Sequence, residues 1–120
     1  MYTIDSEFAI QEAKDNNLDV IFPKPNELLI DIDDDAAYDR YCHLLGIMKR
    51  HFRVEMESIV PSRSGYPKRH ITLTLAKPVT DTQRIALQAI LGSDPVRELL
   101  SLRRVENKDS HPTLFLEKKA

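Results

Sequence analysis

The order of predicted elements is that of an α+β protein, a split-βαβ (βαββαβ, ferredoxin/RRM-like) antiparallel sheet with helices on one face and an extra N-terminal helix. Three observations predict it. An apolar strand runs into acid at Glu27–Asp35, read as ELLIDIDDD, and an amphipathic helix follows at once. Residues Arg69–Leu75 alternate cleanly, with Ile71, Leu73 and Leu75 on one face and His70, Thr72 and Thr74 on the other. A second helix and a last alternating stretch, Pro112–Glu117, then complete a series of strand, helix, strand, strand, helix, strand.

The chain has 120 residues, 42% hydrophobic and 30% charged, which is the composition of one ordinary globular domain. We read a single domain over 1–120, with an N-terminal helix and linker over 1–26 and the core over 27–120. No apolar stretch approaches the ~18 residues that cross a bilayer, and the sequence predicts no membrane contact. The N-terminal MYTIDSEFAIQEAKDNN has acids early and no basic-then-apolar signal pattern. Cys42, the single cysteine, rules out an internal disulfide and points to a reducing, cytoplasmic compartment. A net charge of −2 exerts no global pull on nucleic acid, so any such contact must be local or metal-assisted.

Each element has its own signals. Residues Ser6–Asn17 carry Phe8, Ala9, Glu12 and Ala13 at helical spacing, with Asp5 or Ser6 as cap and Asn16-Asn17 as stop. A short apolar piece, Leu18–Phe22, precedes the extended turn forced by Pro23-Lys24-Pro25. After the ELLIDI strand, Asp34–Phe52 places Ala37, Tyr41, Leu44, Leu45 and Met48 on one helical face, and Asp34 and Asp35 are placed to cap it. Gly46 costs that helix about 1 kcal/mol relative to alanine without overturning it. Arg53–Val60 reads as a strand, and a polar link, Pro61–Lys68, leads into Arg69–Leu75. Thr80 or Asp81 caps a helix through Leu91, whose apolar candidates are Ile85, Leu87, Ala89 and Ile90, and Gly92 stops it. Asp94-Pro95 opens another short helix, Pro95–Leu102.

The chemistry falls on the face that the helices leave open. Side chains alternate along a strand, so Asp31 and Asp33 share one face while Leu28, Ile30 and Ile32 take the other. In split-βαβ topology the first and third strands are neighbours, which brings His70 and Thr72 to the same face, with Phe115 from the last strand. Two carboxylates at that spacing repel unless a cation or donor lies between them. The link before His70 supplies Ser62, Ser64, Gly65, Lys68 and Arg69: hydroxyls, close backbone approach and positive charge, a set suited to phosphate. The plain structural alternative is a strand ending in a capped helix beside a solvated hairpin.

The ordered set Asp31-Ile32-Asp33, then Ser62-Arg63-Ser64-Gly65-Tyr66-Pro67-Lys68-Arg69-His70-Ile71-Thr72-Leu73, then Asp94-Pro95-Val96-Arg97 resembles the three motifs of archaeo-eukaryotic primases. These belong to the primase–polymerase superfamily common in viruses and mobile elements. The resemblance spans about Glu27 to Glu117, and its second motif is the most specific. It implies a catalytic set of Asp31, Asp33, His70 and Asp94. Asp31, Asp33 and Asp94 would hold Mg2+ or Mn2+, and His70 would contact nucleotide phosphates with Ser64, Gly65, Lys68, Arg69 and Arg97. Arg103 or Arg104 would lie near template or triphosphate. The implied partners are nucleoside triphosphates, a single-stranded DNA or RNA template, and a helicase or other replication protein in trans. The implied location is the cytoplasm, the host's if the chain is viral. Two departures stand out: the third acid of the family sits at a strand, whereas Asp94 reads as a helix cap, and the chain lacks a zinc-binding stem, a helical accessory domain and a helicase.

Other candidates are weaker. Cys42 and His43 have no second Cys/His pair at zinc spacing, and His51 suits the end of its helix. Glu55 and Glu57 could face the open side. Phe115 could stack a base, or be covered by Leu18–Phe22. Besides a primase–polymerase-like nucleotidyltransferase, two further functions fit the sequence. One is a non-catalytic nucleotide- or single-strand-binding module of the same fold, and the other is a small phage-type protein–protein interaction or regulatory domain.

Overall fold

The computed structural model describes residues 5–119. The order is α1 (Ser6–Asp15), β1 (Leu18–Ile21), β2 (Glu27–Ile32), α2 (Asp35–Met48), β3 (Val54–Pro61), β4 (Arg69–Leu75), α3 (Asp81–Ile90), α4 (Pro95–Glu106) and β5 (Phe115–Lys118). Among the described residues, four helices and two small antiparallel sheets make an α+β fold, and no helix is long and apolar enough to cross a membrane.

Strands β2, β4 and β3 form one sheet in that order, as expected for the first three core strands. The even-numbered β2 residues Leu28, Ile30 and Ile32 join Ile71, Leu73 and Leu75 of β4 against Ala37, Tyr41, Leu45 and Met48 of α2 and Leu87 and Leu91 at α3. Those strand side chains are at most 3% exposed, so the face read from sequence as apolar is the core face, although Leu29 and His70 on the other face are buried too. Helix α2 is capped by Asp34, which accepts from Ala37 N–H at 2.7 Å. Asp35 is not a cap; it lies in the first turn and binds Tyr66 and Arg69 instead. Helix α3 begins with a capping box between Thr80 and Gln83, and Gly92 follows it with φ +87°. Helix α4 runs a turn beyond the expected Leu102, with Arg103 and Arg104 in the last turn where cations suit the carbonyl end.

The fourth core strand departs from the expected sheet. Strand β5 is not bonded to β2 but pairs with β1, Ile21 opposite Phe115 and Leu18 opposite Lys118. The outer edge of β2 explains this, because it is already satisfied. Leu29 N–H donates to Gln88 Oε1 (2.8 Å) and Asp31 N–H to Ser93 Oγ (3.0 Å). The carbonyls of Glu27, Leu29 and Asp31 accept from Arg84 Nε (2.7 Å), an Arg97 guanidinium N–H (2.8 Å) and Asp94 N–H (2.8 Å). A strand arriving at this edge would find no free donor or acceptor on those residues. This also accounts for the inward face of α3, where Arg84 and Gln88 are buried while Ile90, expected to be apolar core, is 59% exposed.

The β1–β5 ribbon instead lies against the other face of the main sheet, which is thus partly covered rather than open. Phe115 stacks on His70 with ring centroids 3.9 Å apart. Helix α1 is held to the segment that follows α4 by Ser6, whose N–H donates to Asp109 at 2.7 Å and whose hydroxyl binds the same carboxylate.

Candidate functional site

Three carboxylates from two distant parts of the chain meet beside the end of β2. Asp31, Asp33 and Asp94 each offer an oxygen, and these oxygens lie within 4.8 Å of one another. Asp31 and Asp33 are neighbours because they are two apart at the end of a strand. Asp94 arrives because the Ser93-Asp94 segment grips the backbone of Asp31: Ser93 Oγ accepts from its N–H and Asp94 N–H donates to its carbonyl. Asp94 also caps α4, accepting from Val96 N–H at 3.1 Å. Capping and membership of the triad are therefore compatible; one carboxylate does both.

The triad opens into a cleft of about 370 Å³ lined also by Ser62, Ser64, Lys68, His70, Arg97 and Phe115. The register sets His70 directly opposite Asp31. Its Nε2 lies 3.8 Å from Asp31 and its Nδ1 2.9 Å from Glu117. The contact with Glu117 fixes the ring so that Nε2 faces Asp31 and the cleft. Glu117 was not among the residues singled out from sequence. Its signal was nevertheless present, since it lies two residues from Phe115 and so on the same face of an alternating strand.

The electrostatics are those of an under-compensated acidic cluster. Burial pushes the Asp31 carboxyl above the usual range and the Asp94 charge pushes it further, while Arg97, His70 and Lys68 pull it back. Asp33 is raised as well, by burial and then by the charges of Asp94 and Asp31.

Arg97 is a part-buried cation beside the triad, and its terminal nitrogens are committed, while Nε has no partner among the described residues. The guanidinium binds the carbonyl of Leu29, Ser93 Oγ (3.2 Å) and Glu98 (2.8 Å), and it lies 4.5 Å over the ring of Phe115. Burial holds its pKa below that of a free arginine. Glu98 in turn accepts from Gln88 (2.7 Å) and Ser93 (2.8 Å). Behind the triad is thus a polar network of buried Gln88, Ser93 and Glu98 with part-buried Arg97, none of which except Arg97 was singled out from sequence.

Two of the expected phosphate contacts stand apart from the cleft. Arg69 is one residue from His70 and therefore points to the opposite face. There it binds Asp35 and sits 4.2 Å from the Tyr38 ring and 5.3 Å from that of Tyr66. Gly65, at φ +81°, does not line the cleft; it closes the hairpin, donating to the Ser62 carbonyl at 2.8 Å and accepting from Lys68 at 3.1 Å. Ser64 and Lys68 do line it. Arg104 reaches the same cleft from α4 but is buried, one guanidinium nitrogen 3.4 Å from the Pro112 carbonyl. Phe115 is 3% exposed between His70 and Arg97, so its ring faces are occupied. Glu57 faces the helices, where it accepts from the Tyr41 hydroxyl. Cys42 and His43 are exposed on α2, and Arg103 is exposed on α4.

The donor set fits a hard divalent cation: three carboxylates, all oxygen, mutually repelling, with one side open to solvent. No protein-family model matches the chain, nor does any curated protein or solved structure.

Proposed function

We propose that this chain is a primase–polymerase-like nucleotidyltransferase module that handles nucleotide phosphates with Mg2+ or Mn2+. The observation that carries the reading is the meeting of Asp31, Asp33 and Asp94 within 4.8 Å beside His70 and Lys68. On this reading the core is a split-βαβ sheet whose fourth strand has left the β2 edge to the network of Gln88, Ser93 and Arg97. A bound divalent ion would supply charge neutralisation between the attacking hydroxyl and the phosphate. The chain's own residues do the rest. The three carboxylates hold the ion, Lys68 and Ser64 receive phosphate oxygens across the cleft, and Glu117 orients His70 so that Nε2 faces the same space. Template and helicase contacts belong to the same proposal and rest on the motif resemblance alone.

A second reading, binding of nucleotide or single strand without turnover, is favoured by one observation. His70 is only 8% exposed, stacked on Phe115 and bonded to Glu117, which leaves it little freedom to follow a reacting phosphate. A primer-synthesis and extension assay with Mn2+ separates the two. Product from the wild type, lost in the Asp31→Ala/Asp33→Ala double variant, supports transfer. Absence of wild-type product, or product indifferent to the double variant, overturns it. Calorimetric binding of a nucleoside triphosphate with Mg2+ in the absence of turnover would then favour the second reading.

A further inference from the structure

A second concave surface lies at the other end of β4. His70 is the second residue of that strand and Leu75 its last, five residue steps or about 17 Å apart. Beyond Leu75 is a groove of about 650 Å³, within the size range of pockets that bind small ligands or anchor side chains. Its floor is Leu75, Leu87 and Val79, and its walls are Phe52, Pro78 and Ala86. Phe52 is 43% exposed, large apolar surface that the fold leaves uncovered.

The rim has one sign of charge. Its charged residues are Arg53 and Lys77, with the polar His51 beside them, and no acidic residue lines it. Lys49 and Arg50 precede them in the same turn, so residues 49–53 read Lys-Arg-His-Phe-Arg. None of the cations Lys49, Arg50, Arg53 and Lys77 forms an ion pair among the described residues. In a chain of net charge −2, a patch of unpaired cations around an apolar groove is a local feature. Such a surface is complementary to a ligand with an apolar anchor flanked by negative charge.

We propose that this groove docks an acidic peptide segment of a partner protein, with an aliphatic or aromatic side chain on Leu75, Val79 and Leu87 and carboxylates on Arg53 and Lys77. A peptide fits better than a nucleic acid strand. Single-strand sites are built from successive stacking aromatics along a basic track; here there is one aromatic, and the floor is aliphatic and concave. The site is separate from the acidic cleft, and its occupancy leaves Asp31, Asp33 and Asp94 free.

The test uses the full chain and fluorescence anisotropy with a labelled six-residue peptide of four aspartates followed by leucine and phenylalanine. Two control peptides replace the aspartates by lysine or the two apolar residues by serine. The expected result is saturable binding of the acidic apolar peptide alone, weakened on the order of tenfold by Arg53→Glu or Lys77→Glu and by raising salt from about 0.05 to 0.5 M. Ala86→Glu, on the exposed wall, is expected to abolish binding while circular dichroism and the melting temperature stay those of the wild type. Absence of binding at millimolar peptide overturns the proposal. So does binding of the lysine or serine peptide at equal strength, binding indifferent to Ala86→Glu and Arg53→Glu, or displacement of the peptide by a thymidine oligonucleotide from the same groove.

Discussion

Replacing Asp33 by asparagine is expected to stabilise the metal-free protein and to remove its response to metal. The three carboxylate oxygens lie within 4.8 Å, and Asp33 is the exposed member of the set, so its substitution leaves the core untouched. Two unit charges at that distance repel by about 1 kcal/mol at the dielectric of water and about 3 kcal/mol at an effective value of 20. Exposure puts Asp33 near the lower figure, and Lys68 offsets part of it. Relief of its repulsion with Asp31 and Asp94 therefore amounts to about 1 kcal/mol, or about 4 °C in Tm for a domain of this size. Metal reverses the order. An ion bound at about 10 μM affinity and supplied at 1 mM adds about 2.7 kcal/mol to the wild type. The assay is thermal unfolding by circular dichroism in chelator and in Mn2+. Wild type should melt below Asp33→Asn in chelator and above it in Mn2+. A variant that melts lower in chelator, or that gains as much from Mn2+ as the wild type, would refute the reasoning.

Further outcomes follow from the same geometry. Asp31 and Asp33 have folded pKa values above their unfolded ones, so the native state binds more protons between the two. Their contribution to metal-free stability is therefore greatest at low pH and is lost as pH rises through the raised values; the Asp31→Asn/Asp33→Asn double variant should flatten that slope in urea titrations across pH 4–7. Arg97→Ala leaves Glu98 buried without its cation and the Leu29 carbonyl without its donor. It should cost about 3–5 kcal/mol by urea denaturation, and Arg97→Lys should not restore the loss, because one ammonium cannot serve both partners and the Phe115 ring. Asp109→Ala removes both bonds from Ser6 and should cost about 1–3 kcal/mol, with amide-exchange protection lost first in α1.

What could be read from the sequence followed the two short periods. Alternation placed Ile30, Ile32, Ile71, Leu73 and Leu75 in the core and set Asp31, Asp33 and His70 on the opposite face, because a buried sheet face tolerates no slip of register. The same alternation already sends Arg69 away from His70, although motif resemblance groups the two. The strand pairing between the chain's ends was not legible, although Leu18–Phe22 was one of two expected neighbours of Phe115. Leu18–Ile21 is too short to announce itself as a strand, and its partner lies at Phe115–Lys118, at the other end of the chain. Nor does any local pattern show that Gln88 and Arg84, polar residues on an amphipathic helix, point inward to satisfy the edge of β2. That edge displaces β5, and the displaced β5 carries Glu117 to His70. A single tertiary fact thus accounts for both the departure from the expected sheet and the unforeseen partner of the histidine.

Diffraction from crystals grown with Mn2+ and a non-hydrolysable nucleoside triphosphate, recorded for the manganese anomalous signal, tests the central claim most directly. The account predicts an anomalous peak about 2.1 Å from oxygens of Asp31, Asp33 and Asp94, with phosphate density reaching Lys68. No peak at the triad, or manganese and nucleotide bound elsewhere on the protein, would contradict it.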